Sequence, residues 1–463
     1  MPLGNADMQS INPATGEFIH EFSSYSHEMC AVIFDAVHAA YRVWRAVPLP
    51  ERARFLRHLA EALLARKDEF ATLITQEMGK LLREALLEVE KSAWICDYYA
   101  DHAATMLIEE SIPTYGRDNL VVFEPLGPIL AVMPWNFPFW QVFRHAAPSL
   151  IAGNGLLLKH ASNVCGVALA LEALFRDQGF PSDLVRILLV PGSCMESLIG
   201  HPAVAGVTFT GSCQAGASVA AAAGRYLKKS VLELGGSDPC IILEDADLDA
   251  AAGAVLAARM TNAGQTCVSP KRLIVVEAVA RGFVERLAAG LSRFQPGDPM
   301  NLATTLAPMA RKDLVDVIHR QVQTSVAAGA TLVVGGNRLV RPGDCFYLAT
   351  LLTDVHKGMP AYDEELFGPV VVVVTVRDVE EAVAVANDTP FGLGGVIWTG
   401  DKARGLALAR RIDAGTVAVG GHTSSHPQLP FGGIKQSGWG RELSTYGIKE
   451  FVNIKTIALY QPE

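Results

Sequence analysis

ILAVMPWNFPFWQVFRHAAPSLIAGNGLLLK, residues 129–159, is the stretch that decides the fold. It opens with a short apolar run at 129–134, continues into an aromatic helical stretch at 139–151, and returns to an apolar run at 155–159. Short apolar runs separated by a helix are typical of parallel strands buried on both faces. The alternation continues through 185–210, so this part of the chain predicts a doubly wound α/β sheet.

The flanking regions extend this organisation in both directions. Apolar residues at three- and four-residue spacing predict three helices between 28 and 107, one of them continuous over 51–78. A second alternating set of strands and helices begins near residue 234 and predicts a second α/β domain. The segments 113–127 and 445–463 are strand-like, and we expect them to associate with each other or with a neighbouring subunit.

Composition narrows the class of protein. The chain has 463 residues, of which 50% are hydrophobic, and a net charge of −9, so it predicts two or three domains and no nucleic-acid partner. Its eight cysteines form no CxxC pair, which argues against a disulfide framework or a metal site. The N-terminal stretch lacks the basic and apolar regions of a signal peptide, and no apolar run is long enough to span a bilayer. We therefore expect a cytoplasmic protein without a membrane partner.

Two residues suggest chemistry through their surroundings. Cys267 ends the run NAGQTC, in which Gly264 after an apolar helix predicts a turn that presents the thiol. Because most cysteines are small buried hydrophobes, spacing alone leaves a nucleophile and a core residue both open. Glu233 stands in the apolar run VLELGG. It is either a general base with a raised pKa or an ion-paired residue at a strand edge.

Polar residues at the ends of predicted strands are candidates for ligand contacts. Asn136 follows the first strand and either donates to an oxyanion or caps the next helix. Lys159 ends the second strand, where it either meets a ribose or phosphate or is solvated. The glycine turn at 211–212 opens a helix whose backbone N–H groups suit a phosphate, although GSxxxG is a weaker signal than GxGxxG. Glu365 and Phe367 precede a buried strand and fit either a ligand site or a loop carboxylate beside a core ring.

Together these stretches resemble the aldehyde dehydrogenase superfamily over about residues 11–457. The matching motifs occur in the family's order and at its spacing: PWNFP (134–138), LLLKHAS (156–162), FTGS (209–212), LELGG (232–236), GQTC (264–267), EELFGPV (364–370), and PFGGIKQSG with GRE (430–442). One such motif would be weak, whereas seven in order are specific. The resemblance implies an α/β fold with a doubly wound, Rossmann-like cofactor domain, an α/β catalytic domain and a small oligomerisation segment.

The domain boundaries implied by the resemblance follow the changes in pattern. We expect the cofactor-binding domain to comprise 1–112 and 128–233, with 424–444 returning to it. The catalytic domain is expected at 234–423. The remaining segments, 113–127 and 445–463, are the expected oligomerisation segments of a homodimer or homotetramer.

The resemblance also implies a role for each matching residue. Cys267 corresponds to the nucleophile, Glu233 to the general base, and Asn136 with the backbone N–H of Cys267 to the oxyanion hole. The cofactor-binding residues that it implies are Trp135, Lys159, Ser162, Gly211, Ser212, Glu365 and Phe367. One departure is Ser237-Asp238, where many relatives carry a lysine after the two glycines; it leaves these roles unchanged.

The implied reaction is the oxidation of an aldehyde to a carboxylic acid with NAD or NADP. It proceeds through a thioester on the cysteine, which a carboxylate-activated water hydrolyses, and it needs no metal. NAD-preferring relatives place a glutamate three residues after the lysine of the second strand. Here that position is Ser162, which predicts that NADP is accepted well and that NAD is also usable. The alternative is that Ser162 only caps the following helix.

Within the superfamily the sequence most resembles bacterial succinate-semialdehyde dehydrogenases, in KSAWICDYYADHA (91–103), NFPFWQVFR (136–144), AGNGLLLKHASNV (152–164) and LELGGSDP (232–239). Arg144, eight residues after Asn136, corresponds to an arginine that holds the distal carboxylate of that substrate. Arg259 is a second candidate, and Ser425 in the loop 421–429 is expected near the substrate mouth. Both arginines also fit structural roles, as a helix-surface charge and an ion pair.

Three alternatives stay open at this point. The first is an aldehyde dehydrogenase that acts on other short aliphatic or aromatic aldehydes, since pocket residues rather than motifs decide the substrate. A relative that passes the thioester to coenzyme A is disfavoured by the retained Glu233. A non-catalytic, structural member of the superfamily is disfavoured because both the thiol and the carboxylate are present.

Overall fold

A computed structural model describes residues 8–114 and 118–460. The first sheet has six strands in the order Gly438–Trp439, Lys229–Glu233, Gly206–Thr210, Pro128–Met133, Gly155–His160 and Val185–Ile187. All neighbouring strands are parallel except Gly438–Trp439, which pairs antiparallel with Lys229–Glu233. The prediction of a doubly wound parallel sheet is confirmed.

Both faces of the first sheet are covered, as the strand Pro128–Met133 shows. Leu130 and Val132 lie in one apolar cluster and Ala131 and Met133 in another, because successive side chains point to opposite faces. The helices that connect these strands are Trp140–Ala152, Cys165–Asp177, Met195–Gly200 and Cys213–Arg225. The sheet is therefore a buried layer, and ligands reach it at its strand ends.

Four helices precede the sheet: His27–Trp44, Leu49–Ala65, Lys67–Met78 and Leu82–Met106. The single helix predicted over 51–78 is wrong, because the chain breaks at Arg66, with φ −109° and ψ 19°. No glycine or proline marks that break, so the apolar spacing runs through it unchanged. Before these helices, Met8–Ile11 pairs with Phe18–Phe22 in a two-stranded sheet.

The second sheet has seven strands in the order Thr331–Val334, Thr350–Thr353, Val370–Val376, Pro270–Val276, Asp238–Ile242, Gly394–Trp398 and Thr416–Val419. Only the edge strand Thr331–Val334 is antiparallel to its neighbour. The helices of this region are Leu248–Met260, Glu277–Leu291, Lys312–Ala327, Pro360–Asp363, Val379–Asn387 and Lys402–Ala409. A small hairpin joins Arg338–Leu339 to Phe346–Tyr347. The predicted second α/β unit is present.

A third sheet pairs Glu110–Ser111 with Asp118–Pro125, and the latter with Val452–Leu459. The two strand-like segments of the sequence therefore pair with each other, and the short helix Ser444–Ile448 precedes the last strand. Ile454, Ile457 and Leu459 remain exposed on that strand. Their role in subunit association and the exact domain boundaries stay predictions. Across the described residues, no helix combines the length and apolar character that a bilayer crossing requires.

Candidate active site

The carboxyl ends of three strands of the first sheet place the predicted polar residues along one edge. Asn136 follows Pro128–Met133, Lys159 lies at the end of Gly155–His160, and Glu233 ends Lys229–Glu233. The chain moves away from Pro128–Met133 in one direction through Gly155–His160, and the later strand Gly206–Thr210 pairs on its other side. This change of direction is the point at which doubly wound sheets bind ligands.

The turn before Cys267 has an unusual backbone. Asn262, Ala263 and Gly264 all have positive φ, at 52°, 52° and 73°. A Cβ on Gly264 would lie 2.1 Å from the backbone oxygen of Gly368, so only glycine fits. The turn therefore rests directly against the segment that carries Glu365 and Phe367, and it holds Cys267 in one position.

Asn136 binds this turn through hydrogen bonds in both directions. Its Nδ2 donates to the backbone oxygen of Gln265 at 3.0 Å, and Asn262 Nδ2 donates to the backbone oxygen of Asn136 at 2.8 Å. Gln141 Nε2 donates to Asn136 Oδ1 at 3.0 Å, which fixes the amide with its nitrogen towards the turn. One N–H of Asn136 Nδ2 is left for an oxyanion. The alternative of a helix cap is not seen, since Glu88 accepts the first free N–H groups of that helix.

The Cys267 thiol is half-buried among charged groups. Burial raises the pKa of Cys267 to about 11, and the positive charges of Arg144 and Lys271 oppose that rise. Lys271 Nζ donates to the backbone oxygens of Cys267 at 2.7 Å and Thr266 at 3.0 Å. At neutral pH the thiol is protonated, so attack on a carbonyl requires a base that takes its proton.

Glu233 has the character of such a base. It is 2% exposed, and neither carboxylate oxygen has a hydrogen-bond partner in the described part of the chain. Burial and the neighbouring Glu442 raise the pKa of Glu233 well above its ordinary value. Glu442 forms a buried ion pair with Arg144, whose Nε lies 2.6 Å from Glu442 Oε2. Glu233 is therefore not an ion-paired residue at an exposed strand edge, because it is buried and has no hydrogen-bond partner among the described residues.

The predicted cofactor residues fit a dinucleotide. Lys159 is half-buried, and within the described ranges no carboxylate lies within ion-pair distance of its ammonium, so a phosphate can pair with it. Gly211 and Ser212 precede the helix Cys213–Arg225, and Ser212 Oγ accepts from the backbone N–H of Ala215 at 3.3 Å. The N-terminus of a helix is a favourable position for a phosphate. Ser162 is exposed and does not cap the helix Cys165–Asp177, where Glu77 accepts two backbone N–H groups instead.

The nicotinamide end of the predicted site brings together the remaining residues. The rings of Trp135 and Phe367 meet edge to face, with centroids 5.9 Å apart. Glu365 Oε1 accepts from the backbone N–H of Gly236 at 3.1 Å and lies 3.2 Å from Lys271 Nζ. Glu365 is therefore linked through Lys271 to the backbone of the nucleophile.

One cavity of about 400 Å³ contains Cys267 together with Arg144 and Ser425 from the predicted substrate set. Arg144 is 2% exposed, and its Nη2 has no hydrogen-bond partner among the described residues. Arg259 lies outside the residues that line this cavity. Its guanidinium donates to the backbone oxygens of Val370, Leu366 and Gly264 at 2.8, 2.6 and 3.0 Å, and it supports the nucleophile turn. This position does not support a substrate-binding role for Arg259.

Sequence reasoning missed two residues of the site. Glu442, the partner of Arg144, stands in the GRE motif, but that motif alone gave it no role. Lys271, four residues after the nucleophile, is 1% exposed, and the available signal was its place at the start of the mostly apolar strand Pro270–Val276. Both belong to ion pairs that only the tertiary structure brings together.

Comparison with known proteins agrees with this geometry. The sequence model of the aldehyde dehydrogenase family matches residues 3–457. A probable succinate-semialdehyde dehydrogenase [NADP(+)] of Synechocystis sp. is 47% identical over 97% of this chain and 98% of that protein. A succinate semialdehyde dehydrogenase [NAD(P)+] of Escherichia coli is 43% identical over 97% of both chains. A crystal structure of succinic semialdehyde dehydrogenase from Streptococcus pyogenes in complex with NADP+ superposes with a TM-score of 0.95 at 39% identity, covering 98% of this chain and 100% of that one. The chain therefore belongs to the aldehyde dehydrogenase family.

Proposed function

We propose that this enzyme oxidises succinate semialdehyde to succinate, with NADP or NAD as the oxidant. The observation that carries the substrate is the Arg144 guanidinium in the same cavity as the Cys267 thiol. An arginine fork suits a carboxylate, and Arg144 retains an unpartnered Nη2. The names of the relatives from Synechocystis and Escherichia coli support the same substrate and cofactors.

The chain's own groups can perform each proton and charge transfer. Glu233 takes the thiol proton, and the Cys267 sulfur forms a bond to the aldehyde carbon. Asn136 Nδ2 and the backbone N–H of Cys267 donate to the oxyanion that develops. NAD(P), when bound, supplies the hydride acceptor. Loss of hydride from the carbon restores the carbonyl as a thioester on Cys267.

Hydrolysis completes the reaction. Glu233 first releases the thiol proton to solvent and then removes a proton from water, which attacks the thioester carbon; the Cys267 sulfur leaves as a thiolate and takes this proton back from Glu233. The raised pKa of Glu233 suits both directions of proton transfer. Lys159 and Ser162 at the proposed ribose, and the helix start after Ser212, would hold the cofactor phosphates.

Initial rates with a panel of aldehydes, each with NADP and NAD, test this function. We expect kcat/KM to be highest for succinate semialdehyde and lower for butanal, which has a similar length and no carboxylate. Cys267→Ala should abolish oxidation while leaving the protein folded. Glu233→Gln should slow both acylation and thioester hydrolysis, because Glu233 takes a proton in each step, and pre-steady-state release of reduced cofactor measures the two rates. Better turnover of an uncharged aldehyde would contradict the proposed substrate. Turnover by Cys267→Ala would contradict the mechanism.

A further inference from the structure

Lys91 projects into the substrate cavity from the long helix Leu82–Met106. It lines the same cavity as Cys267. Its Nζ lies 4.3 Å from the centroid of the Trp140 ring and donates to Ser425 Oγ at 3.1 Å. The ammonium is therefore held at a defined place by an aromatic face and a hydroxyl group.

The charge of Lys91 is not compensated locally. Within residues 8–114 and 118–460, no carboxylate lies within 4.0 Å of its ammonium. Lys80, near the start of the same helix, gives the contrast: it lies over the Phe137 ring and also pairs with Glu88. Arg144 is likewise paired, with Glu442. Of the three cations, only Lys91 adds an unbalanced positive charge to the cavity.

The two carboxylates that line the cavity are already occupied. Glu88 pairs with Lys80 through Oε2, and its Oε1 accepts from the backbone N–H groups of Phe139 at 2.8 Å and Trp140 at 3.1 Å. Glu84 Oε2 accepts from the backbone N–H of Asn262 at 3.1 Å. Neither serves as the counterion of Lys91.

The hydrogen bonds of Ser425 determine what this corner of the cavity can bind. Its Oγ accepts from Lys91 Nζ and also from Trp140 Nε1 at 2.9 Å. A hydroxyl oxygen has two lone pairs, so both are used and the O–H is left to donate. Lys91 has further N–H groups of its own. The hydrogen-bonding groups of Lys91 and Ser425 that remain available are therefore all donors. A carboxylate is the substrate group that matches them.

We propose that Lys91 is a further contact for the distal carboxylate of the substrate, beside Arg144 and Ser425 of the predicted substrate set. This rests on the proposed oxidation of an ω-carboxylated aldehyde. Burial lowers the pKa of Lys91 to about 8, with Arg144 contributing, so binding a carboxylate also relieves the desolvation of its ammonium. The substrate carboxylate then contacts two cations: Arg144, whose charge is balanced by Glu442, and Lys91, which has no carboxylate partner among the described residues.

The test compares Lys91→Met with wild type on succinate semialdehyde and butanal. The methionine keeps the length of the stem and removes the charge. We expect kcat/KM for succinate semialdehyde to fall roughly ten- to a hundredfold, mainly through KM, with butanal changed less than about twofold. Lys91→Arg should retain most of the wild-type preference, and Ser425→Ala should weaken it several-fold. Lys67→Met is the matched control, because Lys67 pairs on the surface with Glu90, the residue before Lys91.

Inhibition of butanal oxidation by succinate provides a second readout. Its Ki should rise in Lys91→Met by a factor similar to that seen for the aldehyde. If Lys91→Met does not fold, Lys91→Gln is measured in the same way. Equal losses on both aldehydes, or an unchanged preference and Ki, would overturn the role of Lys91. A wild type that does not prefer succinate semialdehyde would overturn the proposed substrate instead, and the succinate Ki would still decide whether Lys91 binds carboxylates.

Discussion

Replacing Arg144 with leucine should have two separable effects. Arg144 and Glu442 are 2% and 5% exposed and form one ion pair. Removing one partner of a buried pair typically costs about 3–5 kcal/mol of stability, because the other charge is left unpaired. Here the remaining carboxylate also lies near Glu233, so the loss should fall in the upper part of that range. The first expected effect is a lower unfolding midpoint.

The second effect concerns selectivity. A hydrogen bond between charged groups contributes about 1.5–3 kcal/mol, which corresponds to a roughly ten- to 150-fold loss in kcat/KM for succinate semialdehyde. Butanal has no carboxylate and should be affected far less. The ratio of the two kcat/KM values cancels any loss of folded enzyme, since both are measured on the same preparation. It therefore isolates the substrate contact from the change in stability.

The control variants separate the two effects further. Arg144→Leu combined with Glu442→Gln removes the orphaned charge and should recover part of the unfolding midpoint without recovering the selectivity ratio. Arg57→Leu breaks an exposed pair with Asp101, 2.7 Å apart, and should change neither quantity measurably. Arg144→Leu with an unchanged selectivity ratio would show that the arginine is purely structural, and the proposed substrate would lose its main support.

Two further predictions concern the thiol and the cofactor. Since the pKa of Cys267 is raised to about 11, its thiolate fraction grows about tenfold per pH unit below that value. Alkylation of the cofactor-free enzyme by iodoacetamide should therefore accelerate about tenfold per unit between pH 7 and 9, with Cys267→Ala as the blank; a flat profile would show a preformed thiolate. Ser162→Glu should lower kcat/KM for NADP about fivefold or more and leave NAD nearly unchanged, because a carboxylate a few ångströms from a 2′-phosphate costs about 1 kcal/mol or more. Ser218→Glu, an exposed serine on a helix of the same sheet, is the control, and a wild type that excludes NADP would show that another element selects the cofactor.

The sequence predicted the first sheet well, because its strands are short apolar runs with glycine turns between them. It could not show the break at Arg66, where apolar spacing continues across two helices. It also left Arg259 open between a substrate contact and a structural role, since burial among backbone carbonyl oxygens leaves no trace in spacing. A lone lysine on an amphipathic helix normally indicates a solvated face, so the position of Lys91 in the cavity required the tertiary structure.

The link between Asn136 and the nucleophile turn has a consequence for how the enzyme matures. Asn136 follows a strand of the first sheet, and Cys267 precedes Pro270–Val276 of the second, so their hydrogen bonds exist only after the two sheets have docked. A newly made or partly unfolded chain carries an ordinary cysteine rather than a catalyst. Activity thus reports whether the two sheets are docked, and denaturant that separates them should abolish it before the helical signal declines.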